Sequence, residues 1–189
     1  ETTQRLQYVL VGFQVVVLVL FAGAAIIATT SGNAWDATTF DLSWFNPFAI
    51  GSFSAFAAGV SLSIFIFWGW DVTLTMNEET KDPDRTPGRA ATITVVTIVV
   101  LYLLLAIALL MYAGTGEGEY GLGNPDIQDN VFFALAGPIL GPLAFLVSLA
   151  VLTSSAASLQ STFVSPARTL LAMGHYGALP PAFARVSPR

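Results

Sequence analysis

Apolar residues run along this chain in long unbroken stretches, not in the alternation of a strand or the one-sided stripe of a soluble helix. Residues 6–35, 42–70, 90–116 and 130–167 contain no Asp, Glu, Lys or Arg. A hydrocarbon layer about 30 Å thick is crossed by ~20 apolar helical residues, and only a backbone that satisfies its own hydrogen bonds is tolerated there. Each window is long enough, and none alternates as a membrane barrel strand would. The pattern predicts four transmembrane helices, at about 8–28, 48–76, 90–113 and 142–173. A further short helix is expected at about 130–140, lying on the outer mouth and broken off by Gly137-Pro138 and Gly141-Pro142. The expected class is therefore an all-α integral membrane protein, a single partial transmembrane domain over residues 1–189.

Composition sharpens this picture. The 189 residues are 54% hydrophobic and 10% charged, against roughly 25% charged in a soluble domain. All seven Lys and Arg (Arg5, Lys81, Arg85, Arg89, Arg168, Arg185, Arg189) fall on one side of a four-span weave. The positive-inside rule makes that side cytoplasmic, so the residue-1 end, the loop 77–89 and the C-terminal end face the cytoplasm. Trp35, Trp44 and Tyr120 fall at the opposite interface, as aromatic belts do.

Several chemistries drop out. No basic stripe exists to bind nucleic acid. With no Cys and one His, His175, there is no thiolate or zinc cluster to build. No Gly-Lys-Ser/Thr phosphate loop is present, and a membrane enzyme would find only Asp71 at depth. No cofactor is expected, and the sequence leaves any metal open.

The second window carries the most information. Gly69 stands between Trp68 and Trp70 and is followed by Asp71. One reading makes Asp71 an interfacial carboxylate at a helix end, with the two Trp as belt residues. The other unwinds the helix at Gly69, where freed carbonyls can hold an ammonium group and Asp71 is an ionisable group beside the break. Phe65, Phe67, Trp68 and Trp70 offer aromatic lining. In the fourth window Ser148, Ser155, Ser158, Thr162, Ser165 and Thr169 recur at helical spacing, widened by Ser154 and Ser161. Such a stripe serves either close helix packing or a polar path.

The run Phe67-Trp68-Gly69-Trp70-Asp71, then Glu78-Glu79-Thr80-Lys81 and Pro83-Asp84-Arg85-Thr86-Pro87, resembles the sixth helix and following loop of amino acid–polyamine–organocation (APC) superfamily permeases. The stretch from Arg168 through Gly177 to Arg185 is similar to the end of the eighth helix and its loop. The resemblance implies that the chain covers helices five to eight of about twelve, part of a LeuT-type bundle of two inverted five-helix repeats. Its second span would be the broken helix six. It implies a plasma-membrane secondary transporter of amino acids or related amines, working by ion-coupled alternating access. The other partners would be the lipid bilayer and the remaining helices of the same permease. Backbone carbonyls at Phe65, Ile66 and Trp68 would receive the substrate's amino group, beside Gly69 and Trp70. Asp71 would gate release or sense protons. Gln14 falls where related proton-coupled members carry a lysine, and a neutral amide cannot titrate, so the coupling ion, H+ or Na+, stays open. Gln14, Ser154, Ser155, Ser158 and Thr162 are the candidates for an ion or substrate path. The competing reading is a non-transporting accessory membrane subunit, which requires an unbroken second span.

Overall fold

The computed structural model describes residues 2–67, 69, 82 and 84–185, without the side chains at 2–4, 160, 161, 164 and 165. Among them are five α-helices and no strand: α1 (Thr2–Thr30), α2 (Phe53–Ile66), α3 (Thr86–Ala113), α4 (Val131–Leu140) and α5 (Phe145–His175). Short 3-10 turns at Leu42–Phe45, Pro47–Ala49, Gln128–Asn130, Gly141–Leu143 and Pro181–Ala184 join or flank them. Two stretches, Arg5–Thr30 and Thr86–Ala113, are long and apolar enough to cross a bilayer, while Phe53–Ile66 and Phe145–Leu159 are shorter apolar segments.

Helix ends follow local chemistry. Asn46 accepts the Phe48 amide at 3.0 Å and starts the turn at Pro47, so the chain does not become α-helical until after Ser52, later than the start near 48 that the apolar run suggests. The Ser52 hydroxyl then caps α2 by accepting from the Ala55 amide at 3.1 Å. α3 starts with Pro87 in its first turn, where the missing N–H costs nothing, and stops at Gly114, φ +61°. α4 does not break at Gly137-Pro138. Pro138 withholds one rung of the ladder, but the helix runs on to Leu140 and ends at Gly141, whose φ of +55° an L side chain rarely adopts.

The core lies where α1 meets α3, α4 and α5. Val17, Phe21, Ala22 and Ala25 form one face of α1, and Leu105, Ala108, Leu109, Tyr112 and Ala113 form one face of α3. Alanines at these contacts let two backbones approach closely, which is what drives helix association where lipid is as apolar as the side chains. Leu135 and Ala136 of α4 and Val147 and Ala150 of α5 complete the cluster.

Helix direction can be read from these partners. The chain leaving α1 bonds the end of α3: the Asp36 amide donates to the Tyr112 carbonyl at 3.1 Å and the Thr38 amide to the Met111 carbonyl at 3.0 Å. These bonds satisfy carbonyls that α3's own last turn leaves open. α1 and α3 therefore run parallel, with their C-terminal ends together. α5 runs the other way, with Val147 beside Phe21 and Ser154 beside Gln14. As a result Arg5, Arg85, Arg89, Arg168 and Arg185 gather toward one end of the bundle. Asp36, Asp41, Glu117, Glu119, Asp126 and Asp129 occupy the loops at the other, which has no basic residue among the described residues, while Asp82 and Asp84 stand beside Arg85 at the first.

That second end is tightly knotted. Trp35 packs edge-on against Tyr120, ring centroids 5.1 Å apart, and the Leu122 amide donates to the Gly114 carbonyl. Gly121 passes so close to Gly116 that a Cβ on it would overlap the Gly116 carbonyl group, and Gly123 lies against the Thr115 carbonyl in the same way.

Candidate functional site

α2 is the element on which the candidate site depends, and its length is its main property. Fourteen residues at 1.5 Å each give a rod of about 21 Å, too short for a 30 Å hydrocarbon layer. Its depth follows from the neighbours of Phe67 on α3. Phe67, the residue after the helix, meets Tyr102 of α3 edge-on at 6.3 Å. Tyr102 lies eleven residues before the end of α3, about 16 Å along that helix. Phe67 also lies over Ala91, Thr92, Val95 and Val96, so α2 ends within the length of α3, against its first half.

Past Ile66 the described backbone leaves the helix. Phe67 caps it with its N–H on the Ser63 carbonyl, and Gly69 adopts φ +104° with open space around it. Only glycine takes this conformation without strain. No basic residue stands in the last turn of α2, so the negative pole of its dipole meets no positive side chain there. Phe65 and Ile66 form that last turn, both exposed. Trp68, Trp70 and Asp71, the other residues singled out at this break, lie outside the described residues. Every α2 residue except Ala57 is exposed.

Two half-open cavities lie among α1, α3, α4 and α5. One, of about 130 Å³, lies between α1, α4 and α5 and is walled by Val17, Phe21, Phe132, Val147 and Ala150. The other, of about 530 Å³, lies between α1 and α3 and includes Thr94, Thr97, Tyr102 and Leu105 in its wall. Gln14, Leu18, Phe132 and Ser154 line both. The structure thus brings Gln14 and Ser154 together, from two antiparallel helices, at one junction. The Gln14 Nε2 is buried there and has no hydrogen-bond partner among the described residues.

The other hydroxyls of α5 are placed differently. The Ser155 hydroxyl donates to the Val151 carbonyl at 3.0 Å and the Thr162 hydroxyl to the Ser158 carbonyl at 2.8 Å, each within its own helix. Bonds of this kind engage the hydroxyl proton locally. Ser154, Ser155, Ser158 and Thr162 are all exposed, so the described helices leave this stretch of the stripe largely uncovered. Thr94, Thr97, Tyr102 and Phe132 were not apparent as site residues from the sequence. The pair Thr94 and Thr97, three apart in an otherwise aliphatic helix, is the signal that could have shown them.

Among the described residues there is no group of three or more His, Cys, Asp or Glu that could hold a metal ion. At the knotted end, the Tyr120 phenol donates to the Glu119 carboxylate, and that bond with the adjacent negative charge raises its pKa above the ordinary 10.0.

Comparison with characterised proteins and with solved structures finds no match. A family model described as amino acid permease matches the whole of residues 1–189. The chain therefore belongs to the amino acid permease family, membrane proteins that move amino acids across a bilayer.

Proposed function

We propose that this chain is the helix-five-to-eight portion of a LeuT-type permease that moves amino acids across the plasma membrane by ion-coupled alternating access. The observation that carries this reading is the end of α2, a helix that stops at Ile66, within the length of α3, before a glycine at φ +104°. Irregular backbone at that depth is tolerated only where it is covered by protein or lines a cavity. A helix C-terminus without a basic side chain favours a cation, and the cation an amino acid offers is its ammonium group.

In this scheme the carbonyls at Phe65, Ile66 and Trp68 receive the substrate's amino group, Gly69 makes the break possible, and Trp70 adds aromatic lining. Asp71, on the far side of the break, gates release or responds to protons. Gln14 and Ser154 lie on the path of the substrate or its coupling ion, H+ or Na+. Ser155, Ser158 and Thr162 serve it from the face of α5 that the remaining helices cover. The arginines gather at one end and the other end has none among the described residues, which supports an orientation with the residue-1 end, the loop 77–89 and the C-terminal end in the cytoplasm.

The test is uptake of labelled amino acids by the complete permease carrying this sequence, reconstituted in proteoliposomes with sodium and pH varied. Gly69→Leu and Asp71→Asn are each expected to lower uptake at least tenfold. Wild-type uptake by both variants overturns the proposed site.

A further inference from the structure

The chain leaving α5 folds back on the helix. Its last turn closes at Gly177, φ +76°, with the Ala178 amide donating to the Met173 carbonyl at 2.8 Å, a common glycine stop for a helix. Past Pro180 the chain reverses, and the turn Pro181–Ala184 packs onto the end of α5. The approach is made at Gly174, where a Cβ would lie 2.7 Å from the Ala184 nitrogen and 2.8 Å from the Phe183 carbonyl carbon. Residues 176–185 thus form a hook held against the helix end.

The hook carries exposed apolar and aromatic surface together with unopposed positive charge. Tyr176 is 85% exposed, and Met173 and Phe183, which flank Gly174, are exposed as well. Arg185 ends the hook and Arg168 precedes it, while residues 130–189 contain no Asp or Glu. The acids described at this end of the bundle, Asp82 and Asp84, stand beside Arg85 at the start of α3. Length sets the level. The 31 residues of α5 make a rod of about 46 Å, which at a tilt of ~20° spans about 44 Å, the thickness of a bilayer with its headgroups. A helix that starts in one headgroup layer therefore ends in the other.

We infer that this hook is a membrane-surface anchor, in which Tyr176 and Phe183 enter the headgroup boundary and Arg185 binds the phosphate of an anionic phospholipid. Tyrosine favours that layer because its ring is apolar and its hydroxyl is wet. A basic side chain there is drawn to an anionic surface, and no acid in its own segment cancels the charge of Arg185. Arg168 adds charge of the same sign. Because the turn is seated on Gly174, lipid that holds the hook also holds the end of α5. The anchor rests on the reading that α5 crosses the bilayer, and the choice of the cytoplasmic leaflet rests on the proposed orientation.

The test is amide hydrogen exchange of residues 176–185 in the complete permease, held in nanodiscs of phosphatidylcholine with or without phosphatidylglycerol. Both faces of a nanodisc meet solution, so the outcome does not depend on orientation. Phosphatidylglycerol is expected to slow exchange about fivefold, the scale of one basic residue at an anionic surface, and high salt to reverse the slowing. Arg185→Gln is expected to remove most of the lipid effect and Arg185→Lys to keep it. Tyr176→Ser is expected to speed exchange in both lipids. Equal exchange of the wild-type hook in the two lipids overturns the anchor, as does a protection that neither substitution lowers, which would mean that protein covers the hook. A lipid effect that survives Arg185→Gln overturns the role given to Arg185. Fast exchange through residues 145–159 overturns the crossing of α5 beneath it. None of these readings uses uptake, so their failure leaves the α2 site standing.

Discussion

Phe21 offers the most direct measure of how this bundle is held together. Its side chain is 1% exposed, lies where α1 meets α4 and α5, and has its ring 5.8 Å from that of Phe132 at an interplanar angle of 51°. In a water-soluble core, Phe→Ala costs about 3–5 kcal/mol, combining lost transfer from water with the cost of the void. Here the first part nearly vanishes, because separated helices remain in lipid that is as apolar as the packed interior. What remains is the void. Removing the ring opens ~100 Å³, and at ~24 cal/mol per Å³ the expected loss is ~2.4 kcal/mol. The ≈130 Å³ cavity already beside Phe21 would enlarge rather than collapse, since Val17, Val147 and Ala150 are too short to fill the gap. The measurement is the unfolding free energy of the complete permease and its Phe21→Ala variant in bilayer-mimicking micelles. Benzene, added as a filler of the new void, should return part of the loss. A loss under about 0.5 kcal/mol would show that Phe21 is not packed as described. A loss above about 4 kcal/mol would show that transfer from water contributes after all, and the lipid-reference reasoning would fail.

Two further outcomes concern the knotted end. Gly121→Ala places a Cβ against the Gly116 carbonyl, whose carbon would lie 2.7 Å away, and neither backbone can yield without opening the loop. The expected cost is about 1–3 kcal/mol, read as about 5- to 150-fold faster cleavage after Glu117 and Glu119 by a glutamate-specific protease; an unchanged rate would refute the close approach. Glu119→Gln removes both the carboxylate that accepts the Tyr120 proton and the charge that opposes phenolate formation. Both effects favour the protonated phenol, so the variant's Tyr120 should titrate at lower pH, back toward 10.0, in an NMR titration of labelled tyrosine. An unmoved midpoint would remove Glu119 as the cause.

The helices were legible because their signal is one-dimensional. A charge-free window of sufficient length dictates a helix in lipid whatever its neighbours are, and α1 and α3 fill such windows. Gly69 was legible for a similar reason, since one residue type has special access to φ +104°. The sequence could not say where α2 begins, because a run of apolar residues at 48–52 reads the same whether helical or not. The side-chain caps of Asn46 and Ser52 decide it. Nor could it distinguish Ser154 from Ser155. They are adjacent hydroxyls on one helix, and only the antiparallel register of α5 against α1 brings the first to Gln14. The glycines of 114–123 escaped notice because their spacing has no period. Their reason is a contact between two parts of one loop, which exists only once the loop is closed.

The end of the bundle that carries Asp36, Asp41, Glu117, Glu119, Asp126 and Asp129 holds no basic residue among the described residues, and that has an electrical consequence. In a membrane held negative on the opposite side, the resting voltage keeps these six carboxylates at the surface they already occupy. Inverting the molecule would carry every one of those charges against the potential, at ~2.3 kcal/mol per elementary charge for each 100 mV. A resting voltage of that sign would hold the molecule right side out.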